Sequence, residues 1–254
     1  MFNSNKIRKP LVIALCLATV LTVTAVVAIG NASVDKFTSS KTPEIRTAED
    51  VHGNPVKAEY QYSQNSSAFG VINKYEDENG NTFTYTADGK LLTASYVPDF
   101  TRSAPEKTVA ELRGIAEDFA KDKSDDFARY AFRKETSKNG YSTFYYAVKV
   151  GDFFTDESII INVKNDGQIT SYSNTNHGKF DGVTESVLGD VTVAELEEYA
   201  DYAISVLYGD DVKDVEIDSM RLTKDGDTYG ISLSLTLKMA SGYDSAETVI
   251  YELD

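Results

Sequence analysis

The pentapeptide TVAEL occurs twice in this chain, at residues 108–112 and again at residues 192–196. Each copy begins a stretch whose apolar residues recur every three or four positions, a spacing that predicts an amphipathic helix. Thr108 with Glu111 fits the capping box, in which a hydroxyl and a carboxylate bind the free amides of the first helical turn. The second copy repeats the same pair. Capping accounts for the Thr and the Glu but requires neither Val, Ala nor Leu, so the repeat favours a duplicated unit over convergent capping.

The segments that follow the two helices support the same interpretation. Each helix is followed by strand-forming runs joined at turn signals, Asn139-Gly140 and Asp166-Gly167 after the first helix and Asp225-Gly226 after the second. In the run ISLSLTLKM, residues 231–239, apolar and polar residues alternate strictly. This alternation predicts a strand with one buried face and one solvated face, as in an antiparallel sheet covered by a helix.

The N-terminal third of the chain has a different organisation. Residues 11–30 carry no charge and follow the basic run KIRKP. Their length suits either a membrane-spanning helix or a long signal peptide, and both imply export. Residues 33–55 are polar and without period, which predicts a flexible spacer. The turn signals Asn79-Gly80 and Asp88-Gly89 then predict β-hairpins.

The predicted fold class is therefore α+β: two tandem units, each a helix packed on an antiparallel β-meander, after an N-terminal apolar helix. The predicted boundaries are a signal peptide or membrane anchor at 1–32, a spacer at 33–55, a β-hairpin region at 56–100, a first unit at 101–185 and a second unit at 186–254.

The helix followed by YYAVKV…ESIIINVKNDGQITSYS resembles the PepSY domain family. Residues 106–182 match that pattern best, and residues 190–254 match it more loosely because no Asp-Gly strand follows ETVIYELD. The resemblance implies an exported, often membrane-anchored bacterial module with a cystatin-like arrangement of helix on sheet. It also implies a role in regulating or inhibiting envelope peptidases, and it transfers no functional residue.

Composition narrows the class of partner. The net charge is −15, and residues 1–30 contain three basic residues and no acidic one, so the rest of the chain is more acidic still. Such a surface repels nucleic acid and anionic membranes at long range. The single cysteine, Cys16, lies inside the apolar run, so the exported part has no disulfide. This is typical of a Gram-positive envelope protein stabilised by packing.

The sequence contains little that supports a catalytic site or a metal-binding site. His52 and His177 are the two histidines, no nucleophile motif accompanies them, and the pattern predicts that His177 is a water-exposed loop residue. The run DENGNTFTYTAD begins like a calcium loop but has Thr82 where the sharp turn needs glycine and Asp88 where a bidentate Glu is needed. We expect no enzyme activity, no cofactor and no metal site, although a weak calcium site on acidic loops stays open.

Aromatic residues mark the predicted contact surface. In GYSTFYYAVKVGDFFTDES the strand places Phe144 and Tyr146 on the core face and Tyr145 on the other face. Phe153 and Phe154 follow in a predicted turn, where exposed aromatic residues are typical binding anchors. The alternative is that one of these rings closes the end of the sheet. Tyr145, Phe153 and Phe154 are the predicted protein-binding residues.

The sequence thus predicts an extracytoplasmic, non-catalytic protein-binding module, either anchored in the membrane through residues 11–30 or secreted. Its expected partner is an envelope or extracellular protein, with a peptidase first because of the PepSY resemblance. The alternative is a structural or cation-binding envelope protein that uses its acidic surface.

Overall fold

The computed structural model describes residues 43–253. These residues divide into two compact units, a larger one of residues 43–149 with 154–181 and a smaller one of residues 150–153 with 182–253. The predicted N-terminal helix, signal peptide or anchor lies outside the described residues. Within residues 43–253 no helix has the length and apolarity needed to cross a membrane.

The larger unit is dominated by strands. Strands β1 to β5 pair antiparallel in chain order, β5 pairs with β9, β9 with β8, β8 with β7 and β7 with β6. The elements are β1 Ile45–Glu49, β2 Pro55–Ser66, β3 Gly70–Asp77, β4 Thr82–Thr86, β5 Leu91–Ser95, α1 Val109–Lys123, β6 Tyr130–Lys138, β7 Tyr141–Val150, β8 Phe153–Lys164 and β9 Ile169–Asn174.

The smaller unit holds one α-helix and three strands in the order β10-β11-β12. Its elements are α2 Val193–Tyr208, β10 Val212–Asp225, β11 Thr228–Met239 and β12 Asp244–Glu252. The Tyr199 ring of α2 lies 5.1 Å from that of Tyr251 in β12, edge to face. In β11 the alternation is confirmed, since Ile231, Leu233, Leu235 and Leu237 are buried.

The predicted fold class is wrong. The larger unit contains nine strands, five of which precede its helix, so it is not a helix on a meander that follows it. Four strands follow α1 and three follow α2, so the two TVAEL helices do not begin equivalent units. Strand pairing between β5 and β9 enlarges the sheet, and this pairing joins segments too distant in the chain for local pattern to reveal.

The turn and helix-capping signals predict the local structure correctly, although the fold class was wrong. All five predicted Gly turns join neighbouring strands, and at Asn139-Gly140 both residues have positive φ, 54° and 82°, as a two-residue hairpin turn of type I′ requires. The capping box at Thr108 is confirmed on both sides. At the second copy Thr192 caps the helix, whereas the Glu195 carboxylate accepts a hydrogen bond from the Tyr251 hydroxyl at 2.9 Å.

Part of the predicted spacer is ordered. Residues 45–49, which fall within the range 33–55, form β1 and pair with β2, and Ala48 is buried. A five-residue strand that buries only Ala48 has too few apolar positions to be recognised from sequence. The other predicted boundaries stay a prediction.

Candidate binding groove

Beside α1 in the larger unit lies a groove of about 400 Å³, within the size range of pockets that hold small molecules or peptide side chains. It is built by four segments of the chain: α1, the loop after β5, the turn between β8 and β9, and the loop between β1 and β2. The lining residues are Val51, His52, Val97, Asp99, Arg102, Ile115, Asp118, Phe119, Gly167, Gln168 and Ile169.

The wall formed by α1 follows from helical spacing. Ile115, Asp118 and Phe119 lie at positions i, i+3 and i+4, which share one face of a helix. The Phe119 ring holds this face against the sheet, because it lies 5.9 Å from the ring of Tyr96 and 6.0 Å from that of Tyr172, both edge to face. Edge-to-face aromatic pairs of this kind add about 0.5–1.5 kcal/mol beyond area burial.

A pair of hydrogen bonds fixes the opposite rim. The Gln168 side-chain oxygen accepts from the backbone N–H of Asp99 at 2.8 Å, and its amide nitrogen donates to the Asp99 carbonyl oxygen at 3.2 Å. The same amide nitrogen donates to the Asp166 carboxylate at 2.7 Å. Gln168 therefore joins the loop after β5 to the β8–β9 turn, and the groove is pre-formed.

Gly167 allows α1 to approach the floor of the groove. Its φ is +90°, and a Cβ placed there would lie 2.7 Å from Cε of Lys107 and 3.1 Å from Cδ1 of Ile115. We expect Gly167→Ala to lower the free energy of unfolding by about 2 kcal/mol, since left-handed backbone strain adds to the displacement of Ile115, while the flexible end of Lys107 can move aside. Unfolding in denaturant measures this loss of stability.

Gly140 provides the matched control for that substitution. Its φ is +82° and a Cβ there meets nothing within 4 Å, so Gly140→Ala retains the backbone strain without the clash. We expect it to cost about 1 kcal/mol. Equal losses for the two variants would show that close approach of α1 is not what requires glycine at 167.

The charges on the rim are unevenly paired. The Thr101 hydroxyl and backbone N–H donate to the Asp99 carboxylate at 2.6 and 2.8 Å and lower the pKa of Asp99. Asp118 pairs with Lys121 at 3.4 Å. By contrast, the side chains of His52 and Arg102 make no hydrogen bond or ion pair within residues 43–253. Arg102 still lies close enough to Asp99, and His52 to Asp50, for charge attraction, so acidic and basic groups are placed together at this rim.

Exposed apolar side chains adjoin the same rim. Val97, which lines the groove, is 56% exposed, and Phe100 is 74% exposed. The Phe100 ring has the Lys164 ammonium 5.6 Å from its centroid. Large exposed apolar groups beside a pre-formed groove are typical of contact surfaces. Sequence reasoning missed these residues, although VPDF at 97–100 carries the signal of an apolar pair in a proline loop.

The predicted contact residues lie elsewhere. Phe153 begins β8 and is only 6% exposed, so it is not an exposed ring in a turn, in keeping with the alternative that one of the two rings belongs to the end of the sheet. Phe154 and Tyr145 are half-buried in β8 and β7, with the basic groups of Arg133 and Lys134 5.9 and 5.1 Å from their ring centroids. Their binding role stays a prediction, and none of the three lines the groove.

His177 lies in the loop after β9, as predicted, with its side chain 22% exposed. Its Nδ1 lies 2.8 Å from Oε1 of Glu157, a residue buried in the core face of β8. Glu157 was not predicted as a site residue. Extending the alternation of Ile159 and Ile161 back along the strand would have placed it in the core.

The described ranges contain no cluster of side chains that could hold a metal ion. Residues 43–253 contain no group of three or more His, Cys, Asp or Glu side chains arranged for a metal ion. At the calcium-like run, Asp77 accepts from the backbone N–H groups of Asn79 and Asn81 at 2.9 Å each and from the Asn81 side chain at 2.8 Å. The carboxylate is used to shape the hairpin turn, as the failures of the calcium pattern predicted.

Comparison with known proteins adds little to this geometry. No family model matches the chain, and no curated protein matches it. Among solved structures, the Bacillus megaterium YpeB C-terminal domain is similar, at 12% identity and a TM-score of 0.35, over 81% of this chain and 88% of that one. A likeness at this TM-score supports neither a fold assignment nor a function. The PepSY resemblance therefore stays a prediction.

Proposed function

We propose that this chain is a non-catalytic, exported protein-binding module that holds a segment of a partner protein in the groove beside α1. One observation carries the proposal: a pre-formed groove with both apolar and polar walls lies beside the exposed side chains of Val97 and Phe100. It also holds the side chains of His52 and Arg102, which make no direct hydrogen bond or ion pair within residues 43–253. Binding anchors are commonly aromatic or Arg side chains that lose water on contact.

The chemistry of the rim indicates what segment would fit. Val51, Ile115 and Ile169 offer apolar walls for an aliphatic or aromatic side chain. Arg102 offers a planar fork of donors that suits a carboxylate, because bidentate Arg–carboxylate contacts combine charge with fixed geometry. The partner segment therefore pairs an apolar side chain with a neighbouring carboxylate.

The partner class comes from the PepSY resemblance and the export signal. We propose an envelope or extracellular protein, with a peptidase as the first candidate. Occupation of the groove by a segment of the peptidase would require shape and charge complementarity alone, and the peptidase would lose activity if that segment borders its substrate site.

Replacing the rim residues tests the proposal. We expect Phe100→Ala and Arg102→Ala each to weaken partner binding at least tenfold, because truncating an anchor costs about 1.4 kcal/mol or more. The measurement is the yield of a photo-crosslink from a reactive residue at position 97 in the full chain, in cells that carry each variant, with peptidase activity followed in parallel.

Tyr243 supplies the control. It is also a large exposed side chain, 77% exposed, but it belongs to the smaller unit. Tyr243→Ala should leave the crosslink unchanged. If Phe100→Ala and Tyr243→Ala give equal yields, the groove is not the binding surface. A crosslinked partner whose activity does not change would retain the groove and remove the inhibitory role.

A further inference from the structure

Strand β12 ends the strand order of the smaller unit, and one of its edges has no strand partner within residues 43–253. The orientation of its backbone follows from the ladder with β11. The N–H of Leu253 donates to the carbonyl of Tyr229, so odd-numbered residues of β12 direct their backbone groups toward β11. The backbone groups of Ala246, Thr248 and Ile250 therefore point away from the sheet.

Terminal strands of the larger unit show how this chain protects an edge. Strand β1 has five residues, and β6 has a bulge between Phe132 and Lys134 and carries Lys138 at its end. Short length, bulges and lysines are three devices that prevent strand pairing between molecules. Strand β12 has nine residues and no Pro or Lys, and its register with β11 is unbroken. It therefore lacks the three devices that β1 and β6 show, and its one inward-pointing acid is the buried Glu247, which accepts from the Tyr208 hydroxyl.

One side chain covers part of the β12 edge. The Tyr199 hydroxyl of α2 donates to the carbonyl oxygen of Ile250 at 2.8 Å, and that oxygen is one of the outward-facing groups. The hydroxyl limits pairing at the C-terminal end of the strand. Ala246 and Thr248, which are both exposed, are left to pair.

The charges along β12 favour pairing with a different protein over pairing with a second copy of this chain. If two copies of β12 paired antiparallel about Thr248, Asp244 of each would face Glu252 of the other. Like charges directly opposite each other in a ladder are destabilising. Asp244 already pairs with Lys238 of β11 at 2.7 Å, whereas Glu252 makes no ion pair within residues 43–253. A strand with neutral residues at its centre and a basic residue opposite Glu252 would therefore complement this edge.

We propose that β12 is a second interaction surface, which takes up an extended segment of another protein by antiparallel strand addition. The segment is neutral in its middle and has Lys or Arg at its N-terminal end, which faces Glu252 in antiparallel pairing. Backbone hydrogen bonds supply the affinity, and the single terminal charge supplies the orientation. This surface belongs to the smaller unit, so it stands or falls independently of the groove beside α1.

Two substitutions at one position separate backbone from side-chain binding. Thr248→Pro removes an outward-facing N–H without removing a hydrogen bond to β11, whereas Thr248→Val retains the N–H and changes only the side chain. The probe is a short peptide of alternating Thr and Val with a Lys at its N-terminal end, added to the full chain in mild detergent. Hydrogen exchange is followed at the amides of residues 246, 248 and 250.

We expect the peptide to protect these amides in the native chain and in Thr248→Val, and to leave the amide of Ala246 unprotected in Thr248→Pro. Tyr199→Phe should extend the protection, because it frees the Ile250 carbonyl. A twin peptide with N-methyl groups along its pairing edge should protect nothing. Equal protection in Thr248→Pro and Thr248→Val, or a dimer of the chain that Thr248→Pro abolishes, would overturn the proposal.

Discussion

Raising the pH above 10 should unfold the larger unit cooperatively. Six of its tyrosines are buried, and burial raises the pKa of each hydroxyl because the phenolate would lose its hydration. The rise is largest for four of them, Tyr96, Tyr130, Tyr146 and Tyr172. Burial raises the pKa of Tyr172 to about 12. It also raises the pKa of Tyr96, Tyr130 and Tyr146.

The sign of the effect follows from proton linkage. An unfolded tyrosine loses its proton near pH 10, whereas each of these four retains it in the folded state. Above pH 10 the unfolded chain therefore binds fewer protons, and the free energy of unfolding falls by about 1.4 kcal/mol per pH unit for each residue. Below pH 10 their contribution is fully present. For Tyr172 the loss accumulates between pH 10 and 12 and reaches about 2.7 kcal/mol.

Together the four tyrosines would remove about 5 kcal/mol by pH 11, a large part of the total stability of an ordinary domain. The chain has 16 Tyr and no Trp, so tyrosinate absorbance reports ionisation without interference. We expect exposed tyrosines to titrate first and reversibly. The buried ones should then titrate together with the loss of far-ultraviolet circular dichroism.

Tyr172→Phe is the matched variant, since it retains the ring and removes the group that ionises. Its unfolding free energy should depend less steeply on pH above 10, although the hydrogen bond from Asn174 to the hydroxyl is lost. A titration in which all tyrosines ionise near pH 10 while the circular dichroism stays constant would contradict the prediction.

The local features of this fold could be predicted from sequence because each depends on adjacent residues. A type I′ turn needs two residues of positive φ, and Asn139-Gly140 supplies them. A capping box needs a Thr and a Glu three residues apart, and Thr108 with Glu111 supplies them. Such features carry their cause within a few positions of the chain.

The arrangement of the strands and the binding groove had no such local cause. The groove combines residues from near positions 51, 97, 118 and 168, which the pairing of β5 with β9 and the packing of Phe119 bring together. The repeated TVAEL predicted two equal units because it specifies how a helix begins. It carries no information about how many strands that helix covers. Phe153 was misplaced because the pattern ended β7 correctly but did not begin β8 at once.

Replacing Glu157 should destabilise the larger unit more than any surface substitution. Its side chain is 0% exposed, and Oε1 accepts from the backbone N–H groups of His177 and Lys179 at 3.2 and 2.7 Å and lies 2.8 Å from the His177 ring. Glu157 thus holds the loop after β9 against β8. Its other oxygen, Oε2, is buried without a partner in the described part of the chain.

We expect Glu157→Ala to lower the free energy of unfolding by about 3–5 kcal/mol, because it leaves two backbone donors and an imidazole without their acceptor. Glu157→Gln should cost less, about 1–2 kcal/mol. It retains one acceptor oxygen and replaces the unpartnered one with an amide group that also lacks a partner. Denaturant unfolding gives both values, and hydrogen exchange at the amides of His177 and Lys179 reports whether the loop is released.

The neighbouring acid supplies the control that separates charge from burial. Asp156 lies on the opposite face of β8, is exposed, and pairs with Lys179 at 3.4 Å. Asp156→Ala should cost under about 1 kcal/mol, as for other exposed ion pairs. If Glu157→Ala were no worse than Asp156→Ala, the loop would be held by its own packing, with Phe180 as its buried anchor. A large difference, with faster exchange at His177 and Lys179 in Glu157→Ala alone, would assign that role to the buried carboxylate.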